Sequence, residues 1–94
     1  MKQFILISYD ISNDRNRLKV MKALEDYGRR VQYSVFECCL TSPQLQKLKR
    51  RLQPLVNPKA WDSIRFYFLC VEDVPRTEII GKGEVTTDRS FYMQ

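Results

Sequence analysis

The sequence predicts an α+β fold with a ferredoxin-like plan, in which an open sheet carries both helices on one face. Three observations lead to this prediction. Apolar periodicity switches along the chain between strand-like and helix-like segments, in the order β-α-β(β)-α-β-β. Right-handed crossovers then place both helices on the same side of the sheet. A chain of 94 residues also has the size of one domain with a modest core.

The first predicted strand covers residues 2–10, and its apolar run ends in the carboxylate of Asp10. A strand that is apolar nearly throughout is expected to be buried on both faces. In so small a domain, one helical layer covers only one face of the sheet. We therefore expect another copy of the chain to bury the second face, which predicts a homodimer.

The first helix is predicted from residue 13 or 14 to residue 27. Ser12, Asn13 and Asp14 are candidate N-caps, and Gly28 is the expected C-terminal stop. Apolar residues recur at helical spacing and predict a stripe that faces the core. The stripe consists of Leu18, Val20, Met21, Leu24 and Tyr27.

The second helix is predicted to begin at Thr41-Ser42-Pro43, because a capping residue is followed by proline in the first turn. Pro54 should end or kink this helix at the preceding residue. The stripe that faces the core consists of Leu45, Leu48, Leu52 and Leu55. Trp61 is predicted to be a hydrophobic plug at the start of the next strand.

The remaining strands are less regular. Residues 29–40 alternate without Gly, Pro, Asn or Asp, so they are either one long strand or two short strands joined by a bend. Residues 62–71 predict a further strand, and residues 77–80 a short extra one. The domain is expected to span residues 1–83. Residues 84–94 predict a polar, mobile tail, in which Phe91, Tyr92 and Met93 are able to dock on a partner.

The composition excludes several classes of catalytic site. The chain has no histidine, which excludes Ser-His-Asp and Cys-His catalysis and imidazole metal ligands. Its cysteines, Cys38, Cys39 and Cys70, have no C-x-x-C spacing, so they are predicted to be small buried hydrophobic residues and not zinc ligands. No apolar run is long enough to cross a bilayer, and the N-terminus leads straight into a strand. A cytoplasmic protein without a signal peptide or a membrane partner is expected.

Asp10 is the first candidate for chemistry, because an acid at the exposed end of a buried strand is well placed to hold a hard cation. Mg²⁺ often takes only one or two protein carboxylates and completes its shell with water and phosphate. One carboxylate is too few for a nuclease site, but a two-fold axis would bring two copies together. Alternatively, Asp10 caps the loop or favours the N-terminus of the first helix through its dipole.

Basic residues form two groups, in a chain with a formal net charge of +5. One group consists of Arg15, Arg17, Lys19, Lys22, Arg29 and Arg30. Within it, Arg15 and Arg17 lie at the start of the first helix, where cations oppose the helix dipole, and phosphate binding would explain them. A second group lies in the acid-free stretch 41–61 and consists of Lys47, Lys49, Arg50 and Arg51. Both groups fit a polyanionic partner, although solvated helix faces would have the same composition.

Aromatic residues on the predicted strands are a further set of candidates. Tyr9, Tyr33, Phe36 and Tyr67 are able to stack on nucleic-acid bases. Sheet aromatics are more often part of the core, and this interpretation is favoured for Phe36 and Tyr67.

The order of these features resembles the small CRISPR-associated adaptation protein, the endonuclease-type partner of the spacer integrase. The resemblance covers roughly residues 1–80. It rests on Tyr9-Asp10-Ile11, Arg15-x-Arg17, a helix that ends at Gly28, and Arg30-Val31-Gln32-Tyr33-Ser34-Val35-Phe36-Glu37. Within the last segment, Gln32-x-Ser34-Val35-Phe36 is the most specific element.

The resemblance implies a homodimer in which the strand near residues 77–80 packs on the partner's sheet. It also implies two short strands within residues 29–40, with a bend near Ser34. Mg²⁺, with Mn²⁺ as the alternative, would be shared between the two Asp10 carboxylates of the dimer. The family's site residues match Tyr9, Asp10, Arg15, Arg17, Arg30 and Phe36.

Two activities are implied: metal-dependent cleavage of RNA or DNA, and bridging of integrase subunits during spacer acquisition. The alternatives are a non-catalytic nucleic-acid-binding scaffold and a toxin-type endoribonuclease of the same fold. A sheet that binds RNA through Phe66 and Phe68 is a further alternative, although the glycine-bearing signature of such sheets is absent.

Overall fold

The computed structural model describes residues 1–86. Its regular elements are β1 (Gln3–Asp10), α1 (Asp14–Glu25), β2 (Gly28–Gln32), β3 (Val35–Leu40), α2 (Ser42–Leu52) and β4 (Ser63–Leu69). Three short 3₁₀ helices cover Gln53–Leu55, Pro58–Ala60 and Val71–Arg76. This order confirms the predicted α+β, ferredoxin-like plan. None of the helices in the described part is long and apolar enough to cross a membrane.

The strands form one antiparallel sheet with the order β2-β3-β1-β4. Alternate residues of each strand point to opposite faces. On one side, which we call the helix face, Ile5, Ile7 and Phe36 join a core with the apolar residues of α1 and α2. On the other side, which we call the open face, Ser8 and Asp10 follow the same alternation.

Both helices begin where their caps were predicted. The Asn13 side chain accepts a hydrogen bond from the Asn16 backbone N–H at 2.9 Å and starts α1. Thr41 starts α2 through a capping box, in which Thr41 and Gln44 each bond the other's backbone N–H. These bonds satisfy amide groups that have no partner inside a helix.

The predicted core stripe of α1 is partly wrong. Val20, Ala23 and Leu24 are buried, but Leu18 is 48% exposed, because it lies two residues before Val20 and therefore points away from the sheet. The helix also ends at Glu25, not at residue 27. In α2 the prediction is confirmed for Leu45, Leu48 and Leu52, which are all buried, whereas Leu55 lies in the following 3₁₀ helix and is partly buried.

Gly28 is the first residue of β2 and does not end α1 as predicted. A Cβ atom at this position would lie 2.3 Å from Cys38 Sγ and 2.5 Å from the carbonyl oxygen of Glu37. Since real Cβ atoms do not approach other atoms so closely, the glycine lets β2 run tightly beside β3.

Residues 29–40 contain two strands, as the family resemblance implied. Tyr33 and Ser34 form the turn between β2 and β3, and the register shifts between Arg30 and Gln32. The Tyr9 backbone N–H donates to the Ser34 carbonyl at 3.1 Å, which joins this turn to the end of β1. The bend near Ser34 is thereby confirmed.

Several smaller predictions are wrong. Trp61 is 90% exposed and has a left-handed backbone conformation with φ of 63°, so it is not a hydrophobic plug. Cys70 follows β4 and is exposed, with its thiol donating to Glu72 at 2.6 Å. Phe66 and Phe68 alternate onto the helix face of β4, paired with Ile7 and Ile5, so they build no aromatic platform on the open face.

The C-terminal segment also differs from the prediction. Residues 77–80 belong to no strand in this single chain, since a strand needs a neighbour with which to pair. Val74, in the 3₁₀ helix that precedes this segment, is buried, and so is Phe4 on the open face. Both residues border one cavity. Part of the open face is therefore covered within the chain, without a second copy.

The beginning of the predicted mobile tail packs against the sheet. Glu84 lies 3.6 Å from the guanidinium of Arg29, and the Thr86 hydroxyl bonds to the Glu37 carboxylate. Phe91, Tyr92 and Met93, predicted to dock on a partner, lie outside the described residues. The dimer and the role of residues 77–80 in completing it stay predictions.

Candidate functional site

Asp10 is the last residue of β1, where it pairs with Ser63 at the start of β4. Its carboxylate is exposed on the open face. Among residues 1–86, no hydrogen bond or ion pair engages this side chain, which excludes the predicted alternative of a loop cap. Asp10 is therefore a charged group at the end of a central strand, and no group among the described residues bonds to its carboxylate.

A cavity of about 180 Å³ lies beside Asp10. Arg65 and Tyr67 of β4 border it, together with Ser8, Ser63 and Tyr9, whose side chain points to the other face of the sheet. The Arg65 guanidinium donates to the Tyr67 hydroxyl at 3.4 Å. This hydrogen bond raises the pKa of Arg65. An arginine is charged at neutral pH without such a shift. Sequence reasoning missed Ser63 and Arg65, because only the β1–β4 register places them beside Asp10.

The donors around Asp10 fit a shared Mg²⁺ site better than a complete one. In the described part of the chain, no three acidic, cysteine or histidine residues cluster closely enough to hold a metal ion. One exposed carboxylate with the nearby hydroxyls of Ser8 and Ser63 is a hard, oxygen-only set. Such a set suits Mg²⁺, which accepts few protein ligands and keeps several waters.

Asp62 holds the chain segment that follows Asp10. Its carboxylate accepts hydrogen bonds from the backbone N–H and hydroxyl of Ser12, at 2.8 and 2.9 Å, and from the backbone N–H of Asn57 at 3.0 Å. The bond from the Ser12 backbone is the main reason that the pKa of Asp62 is lowered, followed by the bond from Asn57. The sequence had no signal for this role, because Asp62 lies 50 residues from Ser12.

Tyr9 is adjacent to Asp10 but has its side chain on the helix face. Its hydroxyl donates to the Tyr33 carbonyl at 3.4 Å, and its ring centroid lies 6.4 Å from that of Phe36. Burial raises the pKa of Tyr9. Tyr9 therefore supports the β2–β3 turn, and its hydroxyl does not share a face with the Asp10 carboxylate.

The predicted site arginines lie on the helix side or on α1. Arg17 donates to the Ile11 carbonyl at 3.0 Å and forms an ion pair with Asp14. Arg30 stacks over the Tyr33 ring, with its guanidinium carbon 5.1 Å from the centroid. Arg15 is exposed and points away from Arg17, since residues two apart lie on different sides of a helix.

Phe36 is not a catalytic side chain in this structure, contrary to the prediction. It is 0% exposed and is the largest side chain in the fully buried part of the core. A group with no accessible surface has no contact with a substrate, so Phe36 acts through packing. This agrees with the core interpretation of its sequence pattern.

The second basic group splits into two parts. Lys47 and Arg50 are exposed on α2, and neither forms an ion pair with any residue in the described range. Lys49 lies over the Phe66 ring at 5.4 Å, and Arg51 forms a 2.8 Å ion pair with Asp26 of α1. Within this group, Lys47 and Arg50 are therefore the cations that are fully available to a polyanion, whereas Lys49 and Arg51 also make contacts within the chain.

Comparison with known proteins agrees with the fold and with the sequence motifs. Residues 1–77 match the family model described as CRISPR associated protein Cas2. A relative named CRISPR-associated endoribonuclease Cas2 3, from Chloroflexus aurantiacus, is 47% identical over 99% of both chains.

Solved structures give the same result. The crystal structure of Streptococcus pyogenes Cas2 at pH 6.5 matches with a TM-score of 0.72 and 37% identity, over 83% of this chain and 99% of that one. A chain from the partial Cas6-RT-Cas1--Cas2 complex matches with a TM-score of 0.69 and 31% identity, over 83% and 84% of the two chains. With its family match over most of its length, this chain belongs to the Cas2 family of CRISPR-associated proteins.

Proposed function

We propose that this protein is an endoribonuclease of CRISPR adaptation that hydrolyses phosphodiester bonds with Mg²⁺ and acts as a homodimer. The observation that carries the proposal is the exposed Asp10 carboxylate, which ends a central strand and has no partner among residues 1–86. The names of the relatives, which call them endoribonucleases, support the reaction class.

Hydrolysis forms a bond from a water oxygen to phosphorus and breaks the bond to the leaving sugar oxygen, which receives a proton. A divalent ion, when bound, supplies charge neutralisation and lowers the pKa of water. Asp10 of each copy would hold this ion, as one of two carboxylates in a shared site. Ser8 and Ser63 border the same cavity and carry no positive charge that would neutralise the Asp10 carboxylate.

The test compares Asp10→Ala with the unmodified protein on labelled single-stranded RNA, and on DNA of the same sequence, with Mg²⁺, Mn²⁺ or EDTA. We expect Asp10→Ala to cleave RNA slower by on the order of 100-fold or more, because a metal ligand contributes several kcal/mol to transition-state stabilisation. Glu25→Ala removes another exposed carboxylate, from α1, and serves as the matched control. Equal cleavage by wild type and Asp10→Ala would contradict the proposal.

The proposed dimer has its own test in sedimentation analysis across protein concentration. If two copies share one metal site, the protein should sediment with twice the mass of a single chain at the concentrations at which cleavage is observed. Cleavage by a species that sediments as a monomer would exclude the shared Asp10 site.

A second candidate function is a non-catalytic scaffold that binds nucleic acid and bridges integrase subunits. The exposed Lys47 and Arg50 favour it, as does the similarity to a chain from a Cas1–Cas2 assembly. The double variant Lys47→Gln/Arg50→Gln should weaken duplex DNA binding. In a plot of the logarithm of the binding constant against the logarithm of the salt concentration, the slope should become less steep by about 1.8 for each copy of the chain that contacts the DNA, because two phosphate contacts are lost. Arg51→Gln, which removes an already paired cation, is the matched control. If spacer acquisition survives the double variant but fails with Asp10→Ala, a scaffold role alone does not explain the function of this protein.

A further inference from the structure

Arg65 and Asp10 lie on the same face of the sheet in adjacent strands. Ser63 pairs with Asp10, and Arg65 pairs with Ser8, so Arg65 is the diagonal neighbour of Asp10. Diagonal neighbours in an antiparallel sheet lie about 7–8 Å apart, which is within reach of a long side chain. Both residues border the cavity of about 180 Å³ at this end of the open face.

Arg65 is exposed and is not used to hold the fold together. Other arginines have carboxylate partners in the described chain, for example Arg29 with Glu84 and Arg51 with Asp26. Arg65 has no such partner among residues 1–86, and its hydrogen bond goes to the neutral Tyr67 hydroxyl. The guanidinium therefore keeps its positive charge available, while Tyr67 restricts its orientation.

The size and charges of the cavity indicate the ligand. A volume of about 180 Å³ is below the roughly 300 Å³ of the smallest pockets that enclose drug-sized molecules, so the cavity suits a compact group. Arginine binds phosphate oxygens through two parallel hydrogen bonds. Ser8 and Ser63 add hydroxyl donors without adding a competing negative charge.

We infer that Arg65 binds the anionic oxygens of the phosphodiester on which Asp10 acts, and that Tyr67 orients the Arg65 guanidinium. This inference rests on the proposed nuclease function for the role of Asp10. It adds a phosphate-binding residue on β4, outside the arginines of α1 and β2 that the sequence motifs indicated.

The first test measures binding without metal or cleavage. A fluorescently labelled single-stranded RNA is titrated in EDTA with the unmodified protein and with Arg65→Gln, Arg65→Lys, Tyr67→Phe and Arg76→Gln. Arg65→Gln should raise Kd about tenfold and reduce the log–log salt slope by about 0.7, because one charge-assisted phosphate contact is lost. Arg65→Lys should restore the salt slope and part of the affinity, and Tyr67→Phe should weaken binding less than Arg65→Gln does.

Arg76→Gln is the matched control, since Arg76 is an exposed arginine paired with Asp73 at 3.2 Å, away from the cavity. Unchanged affinity of Arg65→Gln, or equal losses in Arg65→Gln and Arg76→Gln, would overturn the inference. A circular dichroism melt of each variant separates loss of binding from loss of folding.

The second test measures RNA cleavage with Mg²⁺, in the same variants and in Asp10→Ala. If Asp10→Ala cleaves as wild type does, the proposed nuclease function fails, and the EDTA titration still decides whether Arg65 binds phosphate. If Asp10→Ala is inactive while Arg65→Gln retains both kcat/KM and affinity, the nuclease function stands and the inference about Arg65 is overturned. Loss of kcat/KM in Arg65→Gln, with partial rescue by Arg65→Lys, supports it.

Discussion

Tyr9 and Asp10 are consecutive residues, yet they belong to two different surfaces. On the helix face, Tyr9 is buried and its hydroxyl supports the turn that contains Tyr33. On the open face, Asp10 is exposed and has no partner among residues 1–86. The difference follows from the pleat of the strand, which sends alternate side chains to opposite sides.

The two surfaces also differ in how their charges are used. On the helix side, Arg17 is paired with Asp14 and Arg30 is stacked on Tyr33. On the open face, Asp10 and Arg65 border one cavity and neither has an oppositely charged partner in the described chain. The predicted site residues thus divide between two cavities: Tyr9, Arg17 and Arg30 border one of about 360 Å³ on the helix side, and Asp10 borders the one of about 180 Å³ on the open face.

The largest expected effect is on stability, from Phe36→Ala. Removing this fully buried ring should lower the free energy of unfolding by about 3–5 kcal/mol, because the lost contacts leave a cavity. Urea denaturation measures the change, and Phe36→Leu should lose less. Cleavage per folded molecule, assayed at low temperature, should stay near that of the unmodified protein. A folded Phe36→Ala protein without cleavage would instead place Phe36 in the active site.

The next effect concerns Asp62, whose carboxylate holds Ser12 in the segment that follows β1. Asp62→Ala should lower Tm by roughly 5–10 °C at pH 7, through loss of three hydrogen bonds to its carboxylate. The folded-state pKa of Asp62 lies below its ordinary value of 3.8, so the unfolded state binds more protons near that pH. The stabilisation is complete above that value and disappears as the pH falls through the folded-state pKa.

Thermal melts of the unmodified protein and Asp62→Ala at several pH values check this dependence. The difference in Tm should be constant near neutral pH and should shrink in strong acid. A difference that persisted unchanged into strong acid would show that the carboxylate charge is not responsible for the anchoring.

A smaller effect is expected for Tyr9→Phe, which removes only the hydroxyl. The loss should be about 0.5–1 kcal/mol of unfolding free energy, since one neutral, partly buried hydrogen bond of 3.4 Å disappears. The RNA cleavage rate should be unchanged, because that hydroxyl lies on the helix face. A rate decrease comparable to that of Asp10→Ala would contradict the division between the two faces.

The smallest effect is expected for Arg51→Ala. Its ion pair with Asp26 spans 2.8 Å, but about half of each side chain is exposed, at 47% and 63%. Solvent screening limits such a pair to about 0.2–1 kcal/mol, and salt should reduce this further. A double-mutant cycle with Asp26→Ala measures the coupling energy. A coupling above that range would show that the α1–α2 contact depends on this charge pair.

Local patterns sufficed for much of the fold. Asn13 and Thr41 were foreseeable caps, and the leucines of α2 keep one helical spacing. The exposed position of Asp10 at the end of β1 was foreseeable, because an acid ends an apolar run. These features depend on residues that are close in sequence.

The missed features depend on contacts between distant segments. Arg65 is beside Asp10 because β4 pairs with β1, and Asp62 is an anchor because Ser12 approaches it across 50 residues. Leu18 was assigned to the core from spacing alone, but the exact rotation of α1 on the sheet exposes it. Gly28 was interpreted as a local helix stop, whereas its close neighbours lie on β3.

The alternation of Tyr9 and Asp10 has a consequence for how such a chain can evolve. Losing one residue inside β1 would shift every later side chain of the strand to the opposite face, and would move the carboxylate under the helices and the tyrosine ring into solvent. A substitution changes one contact, whereas this deletion would exchange two surfaces at once. In evolutionary terms, β1 can accept substitutions one at a time, whereas a single insertion or deletion keeps both surfaces only where a β-bulge absorbs it.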